Sequence, residues 1–145
     1  MQLYKIDQFG IDNAGKPFPP FESLHPVECD LLLAKIANRL GIDQLAVPLT
    51  ELPIEVCSRL REQPTGSNVL AEGVCIESAL CMLKTKADIY LLWAQDEIDR
   101  ISASDLVSHF YDIWYPAADD LIIFDKSFTF AVFIDHDGFV YHHIL

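Results

Sequence analysis

The chain is short of positive charge, of glycine and of long apolar runs. Ten Lys and Arg stand against 22 Asp and Glu, leaving a formal charge of −12. Nucleic acids and anionic membranes bind through basic surfaces, so neither is an expected partner. With six glycines in 145 residues, the chain contains neither G-x-x-x-x-G-K-[ST] nor G-x-G-x-x-G, and a phosphate-cradling loop is not expected. The G-x-S-x-G and H-E-x-x-H signatures are missing as well. These gaps argue against an enzyme, and no cofactor or metal is expected. No apolar stretch reaches the ~18 residues that span a bilayer. The start, Met1-Gln2-Leu3-Tyr4-Lys5-Ile6-Asp7, lacks the basic and apolar regions of an export signal, which predicts a cytoplasmic protein.

Cysteine is present without pattern. Cys29, Cys57, Cys75 and Cys81 contain no C-x-x-C pair, so neither a structural zinc site nor a redox motif is indicated. Cys75 and Cys81 lie an even number of residues apart in an expected strand, which would bury both on one face of a sheet.

What is present is a composition able to build a core. Apolar residues make up 51% and aromatics 11%, too much for disorder, and the length suits one domain over residues 1–145. The expected fold class is α+β: a mainly antiparallel sheet of about five strands, helices packed on one face, and a C-terminal β-meander. Leu3 to Ile11 reads as a short strand followed by an Asp12-Asn13-Ala14-Gly15 turn. Pro26 to Leu40 reads as a helix, with proline in the first turn, Glu28 and Asp30 near its positive end, Lys35 and Arg39 near its negative end, and Gly41 beyond. A second helix is expected from Thr50, capped by its hydroxyl, through Leu52, Val56 and Leu60 to a break at Gln63-Pro64-Thr65-Gly66.

Val74 to Leu83 and Ile89 to Trp93 are expected to form a hairpin across Lys84 to Asp88. Ser102 and Asp105 have capping spacing before a helical face of Leu106, Val107, Phe110, Ile113 and Trp114. Leu121 to Phe124, Phe128 to Ile134 and Phe139 to Ile144 then read as three successive antiparallel strands. In the second of these, Phe128, Phe130, Val132 and Ile134 would share one face. Asp135-His136-Asp137-Gly138 lacks the third oxygen ligand and later Glu of a calcium loop, and reads as the last hairpin turn.

The acidic residues are unevenly placed. From Asp96 to Asp137 ten acidic residues meet two basic ones, a local charge of −8. Within it, Tyr111, Asp112, Tyr115, Asp119 and Asp120 set aromatic rings beside carboxylates, a combination suited to an interface. With Asp96, Glu97 and Asp99 they form the expected partner-binding set, while Trp114 is assigned to the core by its helical spacing.

Trp114-Tyr115-Pro116, Asp119-Asp120-Leu121-Ile122-Ile123-Phe124-Asp125, Ser127-Phe128 and Phe133-Ile134-Asp135-His136-Asp137-Gly138 together resemble the C-terminal hairpin region of small bacterial cytosolic proteins, some associated with toxin-immunity loci. The resemblance covers about the last 30 residues. It implies a small α+β protein and carries no catalytic residue with it. The expected function is therefore an immunity or inhibitor protein that neutralises a basic toxin domain, such as a nuclease, through an acidic surface. A generic interaction or adaptor domain is the alternative, and a small hydrolase using His and Asp around the last hairpin is a third.

Overall fold

The computed structural model describes residues 1–62, 64–72, 74–83, 85–94 and 97–145. Gln63 and Lys84, which fall in the break and the hairpin turn expected above, lie outside the described residues.

The helix over 26–40 forms as its sequence dictates. It is α2 (Pro26–Arg39), entered through a reciprocal cap: His25 Nδ1 accepts from the Val27 N–H at 3.4 Å, and the Glu28 carboxylate accepts from the His25 N–H at 3.3 Å. Cys29, Leu33, Ile36 and Ala37 form its buried stripe. The next helix, α3 (Leu52–Leu60), buries Leu52, Val56 and Leu60 at four-residue spacing. It begins two residues after Thr50, and the cap position falls to Glu51 without a side-chain cap bond.

Leu3 to Ile11 is helical rather than extended: α1 (Leu3–Asp12) turns Lys5 and Phe9 inward, one turn apart. An apolar run this short carries no decisive period, and the inward docking of Lys5 settles the conformation. The expected turn follows it, with Gly15 at φ +77° and its N–H donating to the Gly10 carbonyl at 2.7 Å. Val74 to Leu83 is also not a strand. It folds as α4 (Ile76–Ala79) and a 3-10 turn, Cys81–Leu83, that bury Ala79, Leu80 and Leu83 at helical spacing. Cys75 and Cys81 are consequently exposed, contrary to the expectation that both would be buried.

Seven strands form one antiparallel sheet: β1 (Phe21–Ser23), β2 (Pro64–Asn68), β3 (Asp88–Ala94), β4 (Glu97–Ser102), β5 (Leu121–Phe124), β6 (Phe130–Ile134) and β7 (Phe139–Ile144), in the order β1-β4-β3-β5-β6-β7-β2. The three C-terminal strands lie side by side, but they do not end the sheet, because β2 pairs onto β7. Sequence periodicity missed three strands, β1, β2 and β4, with β2 starting inside the break expected at residues 63–66; the longest of the three is β4. Its charged residues disguise a segment that buries Ile98, Asp99 and Ile101, and it replaces residues 74–83 as the hairpin partner of β3.

Strand alternation divides the core in two, and helices cover both faces of the sheet rather than one. Ile89 and Leu91 of β3 join Leu121, Ile123, Val132 and Ile134 beneath α4, α5 (Ala103–Ser108) and α6 (Phe110–Ile113). Tyr90 and Leu92 join Ile122, Phe124 and Phe133 beneath α2 and α3. Ser102 caps α5 as expected, its hydroxyl accepting from the Asp105 N–H at 3.0 Å, and Trp114 is fully buried. Phe128 does not share a face with Phe130, Val132 and Ile134. It sits in the turn before β6 at φ +52° and packs into the other half of the core.

Two turns hold the C-terminal strands in register. Asp125, 4% exposed, accepts from Lys86 Nζ at 2.7 Å, from the Thr129 N–H at 3.0 Å and from the Thr129 hydroxyl at 3.0 Å, and also from the Ser127 hydroxyl. Burial disfavours the Asp125 charge, but Lys86 and these donors outweigh it and hold the carboxyl at about 2. In the second turn Gly138 adopts φ +84°, and a Cβ there would lie 2.8 Å from both Asn68 Oδ1 and Leu70 Cγ.

Gly138→Ala should destabilise the fold by about 3 kcal/mol in urea unfolding, the upper end for a strained backbone position, because the added methyl also meets Asn68 and Leu70. A loss below ~0.5 kcal/mol would show that the turn relaxes freely. Because the Asp125 carboxyl titrates lower folded than unfolded, its stabilisation is complete above the ordinary carboxylate range and fades as pH falls from about 4 through about 2. Unfolding midpoints measured across that window should fall less steeply for Asp125→Asn than for the parent protein.

Candidate functional site: an acidic, aromatic end of the sheet

The eight residues expected to contact a partner divide between surface and interior. Asp96 lies outside the described residues. Asp99 is 1% exposed and accepts from Trp93 Nε1 at 3.0 Å, the Ser23 hydroxyl at 2.6 Å and the amino group of Met1 at 2.6 Å. Asp119 is 5% exposed and accepts from Lys5 Nζ at 2.6 Å and the Tyr115 N–H at 2.7 Å. Neither is a contact residue. A carboxylate this deep is tolerated where it has a cation and further donors, and both have them.

Lys5 explains the arrangement. Its side chain is fully buried, its ammonium also donates to the Ile113 carbonyl at 2.8 Å, and it lies 3.8 Å from the centre of the Trp93 ring. Burial pushes this ammonium down in pKa, while Asp119, Asp99 and Glu97 push it back up. Lys5 therefore fastens α1 to the loop between α6 and β5. In the sequence itself, the trace of this role is the four-residue spacing of Lys5 and Phe9, which puts both on one helix face.

Above the ion pair the outer surface is aromatic and acidic. Tyr4, half exposed, lies 5.9 Å from the Tyr115 ring. Both phenols are pushed up by burial first. Tyr4 is then raised by Asp119, Tyr115 and Glu97, and Tyr115 by Asp112, Asp12 and Asp119. The tertiary structure thus brings Glu97, Asp112 and Tyr115 of the expected set together with Asp12 and Tyr4, which sequence reasoning missed. Leu3 and Ile11, both more than 70% exposed, extend the apolar part along α1. Tyr111 has an exposed ring but spends its hydroxyl on the Val69 carbonyl at 2.8 Å. The Asp112 carboxylate is 3.5 Å from His109 Nδ1.

Asp120 belongs to a neighbouring feature. One oxygen accepts from Arg61 at 3.4 Å, and the other contacts both the N–H and Nδ1 of His136 at 2.9 Å. The hydrogen bond and charge of Asp120 raise the His136 pKa against slight desolvation, with Asp137 and Asp135 adding to the rise. Arg61 and Asp120 stand at the rim of a cleft of about 550 Å³ that Trp93, Pro53, Ile54 and Cys57 also line. Trp93 is thus common to this cleft and to the Lys5 site. Burial, then Asp120, pushes the Cys57 thiol up to about 12 against the opposing Arg61 charge, so it is not a thiolate at neutral pH. His136 has no hydroxyl or thiol bonded to it among the described residues, and this dyad links three segments without an adjacent nucleophile.

No helix is long and apolar enough to cross a membrane among the described residues. Comparison of the chain with protein-family models, curated proteins and solved structures finds no match.

Lys5→Met should lower stability by about 3–5 kcal/mol in urea unfolding, because it strands the Asp119 carboxylate in the interior. Adding Asp119→Asn should restore part of that loss, the double variant falling short of the summed single effects by at least ~1 kcal/mol. Strict additivity would show that the two charges do not depend on each other.

Proposed function

We propose that the protein is an immunity or inhibitor protein that binds a basic toxin domain, a nuclease fitting the charge best, through the acidic and aromatic end of its sheet. The observation that carries this reading is the Tyr4 and Tyr115 pair, with Asp12, Glu97 and Asp112 acting on it electrostatically and Leu3 and Ile11 exposed beside it on α1. Exposed rings and aliphatic side chains supply anchoring area, while surrounding carboxylates steer a cationic partner and penalise an anionic one. A nuclease carries positive charge to hold phosphates, and a net charge of −12 complements it. The resemblance of the last 30 or so residues to proteins of toxin-immunity loci points the same way, and a cytoplasmic site of action belongs to the same proposal.

Within it, Asp99 and Asp119 act indirectly. They position Trp93, Lys5 and Tyr115 from below, and charge reversal at either would test folding rather than recognition. Glu97 and Asp112 are the residues to reverse.

The partner to test is the product of the reading frame immediately upstream, if basic. Its association, followed by stopped-flow fluorescence, should slow steeply between ~50 and ~200 mM salt. Glu97→Lys combined with Asp112→Lys should slow it about tenfold at the lower salt. Binding at the parental rate by that variant would remove this face from the interface, and binding indifferent to salt would favour an adaptor domain whose acidity serves solubility.

A further inference from the structure

An acidic protein has few cations to place, and this one sets three of its ten Lys and Arg around a single pocket. The pocket, of about 320 Å³, opens between α2, β4 and the turn joining β5 to β6. Lys35 comes from α2, Arg100 from β4 and Lys126 from the turn. Leu24, Leu31 and Leu32 form an apolar wall. The volume falls at the lower end of the range for small-molecule sites, which are concave, largely apolar and carry a few converging polar groups.

The two acidic residues at this pocket are already engaged. Glu22 holds the Arg100 guanidinium, and Glu28 accepts the His25 N–H at the start of α2. Lys35 and Lys126 have no ion-pair partner among the described residues. Lys35 Nζ instead lies 5.8 Å from the centre of the Phe128 ring.

A second and independent observation concerns Tyr90. It lines the pocket from β3, is 9% exposed, and stacks its ring on Phe124 at 5.3 Å. Its hydroxyl makes no hydrogen bond among the described residues, and it is not one of the side-chain polar atoms sealed from solvent without a partner, so it remains accessible. An accessible phenol hydroxyl can donate a hydrogen bond to a ligand oxygen. Tyr90 lines the pocket, so its hydroxyl is available to an acceptor bound there.

We propose that this pocket binds a small organic anion, a carboxylate or phosphate head held by Lys35, Lys126 and the Tyr90 hydroxyl, with its apolar body against Leu31 and Leu32. A charge-assisted bond to each lysine and a neutral one from tyrosine match an oxyanion of either kind. The acidic surface elsewhere repels such a ligand, so binding requires this local concentration of cations and the adjoining apolar wall. The pocket shares no lining residue with the tyrosine surface.

Calorimetric titration with four probes tests the proposal: phenyl phosphate, phenylacetate, benzylamine and inorganic phosphate. Phenyl phosphate or phenylacetate should bind saturably at one site with Kd below about 1 mM, and the tighter of the two identifies the head group. Lys126→Glu should weaken that binding about tenfold, and Tyr90→Phe should weaken it severalfold while leaving the unfolding midpoint near that of the parent. Failure of both aromatic anions to bind would overturn the proposal. So would benzylamine or inorganic phosphate binding as tightly as the aromatic anions, or anion binding indifferent to both substitutions.

Discussion

A buried ammonium holds one end of this molecule together. Lys5 leaves water only because Asp119, the Ile113 carbonyl and the Trp93 ring replace its hydration, and each of these comes from a different part of the chain. The arrangement joins α1 to the segment between α6 and β5 and to the end of β3. Asp99 repeats the logic on the other side of Trp93, where the indole N–H, a serine hydroxyl and the Met1 amino group converge on one carboxylate. An interior ion pair contributes less net stability than its Coulomb energy suggests, because both partners lose water. Its stronger effect is on geometry: once one charge is inside, the other has a single acceptable position.

The dense run of acidic residues in the C-terminal third is consequently not one uniform surface. Asp99, Asp119, Asp125 and Asp135 point inward and are used up on cations, turn N–H groups and hydroxyls, with Asp135 accepting from Asp137, Phe139 and Tyr141. Glu97, Asp112, Asp120 and Asp137 remain at or near the surface. This division sharpens the functional reading. The exposed field is smaller than the sequence count suggests, but it gains Tyr4, which pairs with the expected Tyr115, and an apolar helix face that was not part of the expected site. The internal carboxylates provide the rigid base on which those tyrosines stand.

The rare cations are distributed with equal economy. Lys5 and Lys86 neutralise internal carboxylates, and Arg61 meets Asp120. Lys35, Arg100 and Lys126 gather at the pocket beside α2. The negative face and the locally positive pocket thus lie on separate parts of one small fold, with no lining residue in common.

Elements with a strong local code were legible in advance. The caps and stripe of α2, the apolar spacing of α3, the Ser102 cap and the succession β5, β6, β7 around Gly138 rest on contacts within a few residues, which sequence spacing specifies directly. Short apolar runs were not legible. Leu3 to Ile11 and Val74 to Leu83 suit either helix or strand, and β4 hides behind its charges, so the choice passed to packing against distant segments. The same holds for the site. Composition established that the protein is strongly acidic and where along the chain that acidity lies. Which carboxylates face solvent was decided only by the tertiary fold, because the burial of each depends on a cation or donor brought from as far as 114 residues away.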